Sequence, residues 1–428
     1  MDEKTRLDDD ETFVEPRPVD VMRTQEMPIP RVRDDGQSGA VAIAELLPPL
    51  AADPIAAEPI NPEVINPEAI NAEPIASEPL PAGPIAVLPP PLPAAPAAEN
   101  PMAQAWDVLQ RLRARMRAQI LGRDEVIDLV LVALLADGHV LLEDFPGSGK
   151  TTLAKSLGLS IIDDLVDPHD AIAAFRRIQF TPDLLPSDVT GVSVFDAASS
   201  DFHFRHGPIF AHVVLADEIN RTSPKVQAAM LEAMAEKQVT VDNVTYPLDD
   251  LFFVIATQNP LDLAGTYPLP VAQLDRFLFK IRMSHIHRDA ELSVLESWRD
   301  RRDLERGDLP KVKRSEVLAA RRAIDGGVAI SRAVKEALVD LTQAIRDDER
   351  VAQGNSTRSL VLMMPALQAM ALLRGRDYVS AEDIVALAPR VLGHRVELAP
   401  GLADLSPVLN DALGKAVEKL SRGTLRRS

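Results

Sequence analysis

The chain has 428 residues, no cysteine and a formal net charge of −18. Its length allows two or three domains, and the missing thiols exclude disulfides and thiolate metal sites, which fits a reducing cytoplasm. The acidic balance excludes a protein that meets a nucleic-acid backbone through an overall basic surface.

Residues 1–100 carry 19 Asp/Glu against 6 Lys/Arg, a net of −13 that leaves −5 for the remainder. They also hold 19 of the 35 prolines and one aromatic, Phe13. Such a segment buries too little apolar surface to offset its chain entropy, so a disordered arm is expected. From Asp53 an acid recurs every fifth residue, at Glu58, Glu63, Glu68, Glu73 and Glu78, and most have a proline alongside, which forbids a regular helix. The arm reads as a solubilising spacer; the alternative is a docking ligand for a partner. Its first residues are acidic and lack a signal-peptide core.

From Pro101 apolar residues return at regular spacing. "AWDVLQRLRARMRAQI" predicts a helix with Arg111 to Arg117 as a solvated basic face. "DEVIDLVLVALLADG" predicts a second helix, ending at Gly138. The longest apolar run is broken by Asp128, Asp137 and His139, so no membrane span is expected. "HVLLED" is a short strand, and "TTLAKSLGLSII" after it is helical.

Between strand and helix lies a near match to G-x-x-x-x-G-K-[ST], with Asp144 at the first glycine position. Asp144, Phe145, Pro146, Gly147, Ser148, Gly149, Lys150, Thr151 and Thr152 are the expected nucleotide-binding segment. Gly147 and Gly149 allow backbone N–H groups to close around phosphate oxygens; Lys150 reaches the β- and γ-phosphates and Thr151 holds Mg²⁺. The helix N-terminus adds its dipole.

"IFAHVVLADEIN" is an apolar strand ending in Asp217 and Glu218. A strand buried on both faces that ends in two carboxylates suits a parallel sheet with a site at its carboxyl edge. Asp217 is the expected metal contact, and Glu218 the group that orients and polarises the attacking water. "LFFVIATQNP" is a further buried strand, which brings Asn259 toward the same water or the γ-phosphate. "AQLDRFLFKI" places Arg276 between a short helix and a strand, where ring ATPases present an arginine to the next subunit's site; the alternative is a salt bridge with Asp275.

"GVSVFDAASSDFHFRHG" and "QVTVDNVTYPL" predict two inserted hairpins, the second turning at Asp242-Asn243. Inserted hairpins are candidates for moving loops that grip a substrate. From residue 288 the pattern is helical, clearest in "AVKEALVDLTQAI", "TRSLVLMMPALQAMALLRG" and "SAEDIVALAPRVL". Ser380 caps the last of these. Arg358 begins the middle one, where a cation opposes the helix dipole and an external phosphate would make sense of it. Met363 and Met364 read as core.

Five stretches together resemble the MoxR family of AAA+ ATPases: "LLEDFPGSGKT", "RIQFTPDLLPSDVTG", "GPIFAHVVLADEINRTSPKVQAAMLEAMAEKQVTV", "FFVIATQNPLDLAGTYPLP" and "AQLDRFLFKI". The resemblance covers roughly residues 100–400 and makes Asp144 a family variant, since related chains have "EDFPG" before G-K-T. It implies an α/β fold: an AAA+ P-loop parallel-sheet core over 101–287 and a helical lid over 288–428, after the disordered arm of 1–100. Asn259 matches the family's first sensor, Arg276 its trans-acting arginine finger and Arg358 its second sensor. Arg123 stands where the family usually has Gln beside the adenine, and Val271 replaces a usual Glu. The resemblance also implies Mg²⁺-dependent ATP hydrolysis in a ring, commonly of six subunits, with a chaperone-like role on protein partners that often carry von Willebrand A-type domains. Nucleic acid is not an expected partner. The alternatives are a nucleotide-locked scaffold, a nucleic-acid motor, or an acidic arm that recruits a partner while the ATPase acts as a switch.

Overall fold

The computed structural model describes residues 100–143, 147–164, 172–259, 265–298 and 309–425. The expected disordered arm and the loop residues Asp144, Phe145 and Pro146 lie outside the described residues. Helix α1 (Pro101–Gln119) starts at Asn100, whose side chain accepts from the Met102 N–H at 3.0 Å, with proline in its first position. It is followed by α2 (Asp124–Leu135), β1 (Val140–Glu143), α3 (Lys150–Leu159), β2 (Ile161–Ile162) and β3 (Ala173–Gln179). Next come α4 (Pro186–Thr190), the hairpin β4 (Gly191–Asp196) and β5 (Asp201–His206), β6 (Ala211–Asp217) and α5 (Pro224–Glu236). A second hairpin, β7 (Gln238–Val241) and β8 (Val244–Pro247), precedes β9 (Phe253–Gln258), α6 (Val271–Leu274), β10 (Phe279–Arg282) and α7 (Arg288–Glu296). The C-terminal part holds β11 (Val312–Lys313), α8 (Arg314–Gly327), α9 (Arg332–Arg346), β12 (Val351–Gln353), α10 (Thr357–Leu373), α11 (Ala381–Leu392), β13 (Glu397–Leu398) and α12 (Ser406–Leu425).

Five parallel strands form the central sheet in the order β10-β1-β9-β6-β3. All seven residues of β6 are buried, as a strand covered on both faces requires. The pleat divides them: Val213 and Leu215 pack with α1, α2 and α3, and Val214 and Ala216 with α5. The first of these two clusters runs on without a break into Ala366, Leu367, Leu387 and Leu409 of the C-terminal helices. Met363 is fully buried in it and Met364 packs against it, as expected of core methionines. α11 opens with a capping box: the Ser380 N–H donates to Asp383 Oδ2 at 2.9 Å.

Two expectations need correction, and one strand was not foreseen. The helix after the glycine loop ends at Leu159, where the Ser160 hydroxyl turns back to the Ser156 carbonyl, and Ile161–Ile162 pair in parallel with β11. Branched side chains favour that pairing over a further helical turn. The basic run of α1 is not a solvated face. Arg113 pairs bidentately with Asp128, Arg111 reaches Glu316 at 2.6 Å, and Arg115 is buried on Ser160 Oγ. Their partners lie up to 205 residues away, beyond any local pattern. β3 went unpredicted because its outer residues carry Arg176 and Arg177 rather than an apolar alternation.

Two histidines are buried without charge. His139, at the start of β1, sits against the Met234 carbonyl at 3.1 Å through Nε2 and accepts from the Val254 N–H through Nδ1, which sets its neutral tautomer. Burial holds its pKa down at about 4, and burial with Arg395 alongside holds His394 at about 3, against the ordinary 6.5. Both folded values lie below the unfolded one, so the stability they support is present above pH 6.5 and is lost as pH falls toward 4. Each ring contributes a slope of ~1.4 kcal/mol per pH unit in that window. Thermal melts should show Tm falling steadily from pH 6.5 to 5, before most carboxylates titrate. A flat Tm over that range would contradict two neutral buried rings.

Candidate functional site

Strand register sets the site. Glu143 is level with Gln258, Gln179 with Asp217, and Ala216 with Ala256, so β1, β9, β6 and β3 end side by side at the carboxyl edge of the sheet. A ligand site is expected at such an edge. Glu143 fastens it: its carboxylate accepts from Lys280, Arg282 and Gln258 at 2.8–2.9 Å. Burial works against its charge, but these donors overcome that and hold its pKa below the ordinary value.

Past β1, Gly147 and Gly149 take φ of 87° and 93°, the left-handed region that favours glycine, and Lys150 then starts α3. A Cβ built on either glycine would meet nothing within 4 Å, so the loop faces open space. The Ser148 hydroxyl is buried without a hydrogen-bond partner. Arg123, which caps α2, donates from Nη2 to the Ser148 carbonyl at 3.4 Å and from Nη1 to the Ser284 carbonyl. The departure from the family's usual Gln therefore acts on the backbone of the glycine loop.

Asp217 and Glu218 meet at Thr257, a fully buried residue of β9. Its hydroxyl donates to Asp217 Oδ1 at 2.7 Å and accepts from the Glu218 N–H at 2.8 Å. Glu218 holds φ 58° and ψ 48°, a strained conformation for a side-chain-bearing residue that concentrates at functional sites. Its Oε2 accepts from Gln179 at 2.9 Å and lies 3.1 Å from Arg221. Arg177 of β3 donates to Asp217 Oδ2 at 2.6 Å. Asn259 is buried, one residue past the end of β9. Sequence reasoning missed Arg177 and Gln179; two polar residues at i and i+2 before "FTPD" share one face of a strand end, and that was the available signal.

Of the two arginines expected to act on phosphate, Arg276 lies at the corner between α6 and β10 and Arg358 at the start of α10. Arg276 is half-buried and donates from Nη1 to the Leu231 carbonyl on α5 at 3.1 Å. Asp275 pairs instead with Arg395 at 2.6 Å and lies 3.7 Å from Arg358. Arg358 is the second residue of α10, with its side chain 59% exposed. Val271, in place of the usual Glu, opens α6.

These residues fit a nucleotide with its metal. The open glycine loop suits phosphate oxygens, and the Thr151 hydroxyl and Asp217 carboxylate are the hard oxygen donors Mg²⁺ takes. Among the described residues no cluster of three or more His, Asp or Glu forms a protein-only metal cage. The two hairpins are separate two-stranded sheets, as expected. Asp242 and Asn243 turn the second at φ of 50° and 63°, and Phe204 of the first stacks on Tyr246 of the second at 3.9 Å. Phe195 and Phe202 stand exposed at the first hairpin's tip. No helix among the described residues is long and apolar enough to cross a membrane.

Residues 139–279 match the family model "ATPase family associated with various cellular activities (AAA)", and residues 343–411 match "AAA lid domain". The chain is 48% identical to YeaC of Bacillus subtilis (strain 168) over 66% of this chain and 84% of that protein. It is 36% identical to the chaperone MoxR1 of Mycobacterium tuberculosis over 75% of this chain and 86% of that one. It is also 30% identical to MoxR of Methylorubrum extorquens, over 70% and 90%. The crystal structure of a proposed ATPase from Cytophaga hutchinsonii superposes with a TM-score of 0.64 at 34% identity, covering 74% of this chain and 97% of that one. With a five-stranded parallel sheet, a glycine loop at its carboxyl edge and these relatives matched over most of their length, the chain belongs to the MoxR family of AAA+ ATPases.

Proposed function

We propose that the chain hydrolyses ATP with Mg²⁺ as a ring, six-membered as in related ATPases, and couples turnover to remodelling or maturation of partner proteins. The observation that carries this reading is the Asp217–Thr257–Glu218 cluster beside the glycine loop, with Glu218 held in the left-handed region. In this reading Gly147 to Thr152 cradle the phosphates, and Lys150 draws charge from the β- and γ-groups. Thr151 and Asp217 hold Mg²⁺, which would neutralise phosphate charge. Glu218 leaves Gln179 and Arg221 to orient a water and take its proton, and Asn259 fixes that water. Arg358 touches phosphate from the same chain and Arg276 from the neighbour. Residues 101–287 act as the nucleotide-binding core, 288–428 as its lid and 1–100 as a tether. A protein client is favoured by the relative named a chaperone and by the exposed Phe195–Phe202 pair on a hairpin stacked against the second one. Partners with von Willebrand A-type domains are the first class to test.

The test is ATP turnover per subunit against protein concentration, with and without Mg²⁺. Turnover that needs Mg²⁺ and rises to a plateau as subunits associate is expected. Nucleotide binding with no turnover at any concentration would favour the scaffold reading, which the tie between Glu218, Gln179 and Arg221 makes the second choice.

Arg177 occupies the carboxylate oxygen that Mg²⁺ would take or polarise. Arg177→Gln should lower the Mg²⁺ concentration for half-maximal turnover by about fivefold, the order expected for losing a half-exposed ion pair. A higher Mg²⁺ requirement would show that Arg177 holds Asp217 in place for the metal rather than competing with it.

A further inference from the structure

We propose that Asp275 and Arg395 are positioning residues that tie the lid of one subunit to the finger it presents to the next. This rests on the ring reading above, and the test separates the two. Arg395 is only 3% exposed and lies in a single 3₁₀ turn after α11. Its Nε donates to Asp275 Oδ1 at 2.6 Å, and Nη2 to the carbonyls of Asp275 and Phe277 at 3.0 and 2.7 Å. Its Nη1 reaches the Leu278 carbonyl at 3.3 Å and the Val391 carbonyl of α11. The neighbouring His394 meets the Phe277 carbonyl at 3.0 Å through Nε2. The backbone on both sides of Arg276 is thus held by the lid.

A buried guanidinium is tolerated only where its fork of donors is met, and a lysine's point charge does not meet several diverging acceptors at once. Glue between lid and core would satisfy that requirement anywhere on the interface. Here the acceptors outside the lid are those of residues 275, 277 and 278. The second oxygen of Asp275 lies 3.7 Å from Arg358, a mostly exposed arginine of the lid. One carboxylate therefore faces both a fixed arginine and a loosely held one, directly before the finger. When Arg358 turns to phosphate, Asp275 is left to Arg395 alone, and the corner that carries Arg276 responds to the nucleotide in its own subunit. The consequence is felt in the neighbour's site.

The experiment mixes subunits. Arg276→Ala subunits keep an intact site and lack the finger; Glu218→Gln subunits keep the finger and lack the base. Their mixture should recover turnover, and failure of this control would count against the ring reading itself. Donors carrying Glu218→Gln with Arg395→Lys should assemble and bind a fluorescent ATP analogue like the parent donor, yet recover about tenfold or more less turnover, as a small misplacement of a catalytic group does. Donors with Glu218→Gln and Asp275→Asn keep an oxygen for Arg395 but lose the charge facing Arg358, and should recover an intermediate rate. Full recovery with both donors overturns the proposal. So does loss of the Arg395→Lys donor's own nucleotide binding or assembly together with full recovery by the Asp275→Asn donor, because Arg395 then serves lid docking alone.

Discussion

Glu218→Gln should give a protein that binds ATP with near-normal affinity and hydrolyses it at least about 10²-fold more slowly, the scale of a lost general base. The substitution keeps the shape and the hydrogen-bonding reach of the side chain. Gln179 and Arg221 retain an oxygen to approach, and the backbone N–H still meets Thr257 Oγ1. What is lost is the proton acceptor. Glu218→Gly makes a sharper second measurement. At φ 58° a residue with a Cβ carries strain of ~1 kcal/mol or more that glycine relieves. The glycine variant should lose turnover as fully while melting no lower than the native chain, once the partly exposed contact with Arg221 is discounted. Catalytic strain at this position predicts that pairing of lost activity with kept or raised stability. A glycine variant that melts several degrees lower would mean that the glutamate serves the fold, and single-turnover hydrolysis near the native rate in Glu218→Gln would remove it as the base.

Much of this site was legible because its chemistry lies in local patterns. The Gly-x-Gly-Lys-Thr run needs only adjacent residues, and a strand that is apolar apart from His212 and ends in Asp217-Glu218 announces both its burial and its exposed edge. Asp242-Asn243 was readable for the same reason, since a two-residue turn with both residues at positive φ selects for those side chains. What escaped was set by register and distant packing. Arg177 matters because β3 happens to lie beside β6, and nothing within "AFRRIQF" says which strand will be its neighbour. Arg395 becomes a clamp through carbonyls 117 to 120 residues away. The basic run on α1 failed differently: charge was read as exposure, whereas Arg113 and Arg115 bury their stems and pair their heads against α2 and Ser160. The break at Leu159 is decided by the short strand over Val312–Lys313, which offers Ile161 a backbone partner.

Arg276→Ala should lower kcat by about 10³-fold while leaving the subunit's own nucleotide affinity within about twofold, the pattern of an arginine that stabilises transferring phosphoryl charge from a neighbour. The local geometry makes this a clean measurement. The carboxylate nearest in sequence, Asp275, is already committed to Arg395 and Arg358. The bond that Arg276 makes in its own chain is to the Leu231 carbonyl, and a hydrogen bond of that kind contributes ~1–2 kcal/mol net. Removing the side chain should therefore cost a few degrees of Tm at most, far less than a loss of three decades in rate would need if misfolding caused it. A residue that served only to anchor α5 would show the opposite balance, a lower Tm with kcat within about threefold. Arg276→Lys sharpens the distinction, since it keeps the charge and gives up the planar fork. A finger should be rescued only in part by lysine, and a turnover that no longer rises with subunit concentration should accompany the alanine variant. Turnover that still rises steeply with concentration in Arg276→Ala would place the trans-acting cation elsewhere on the ring face.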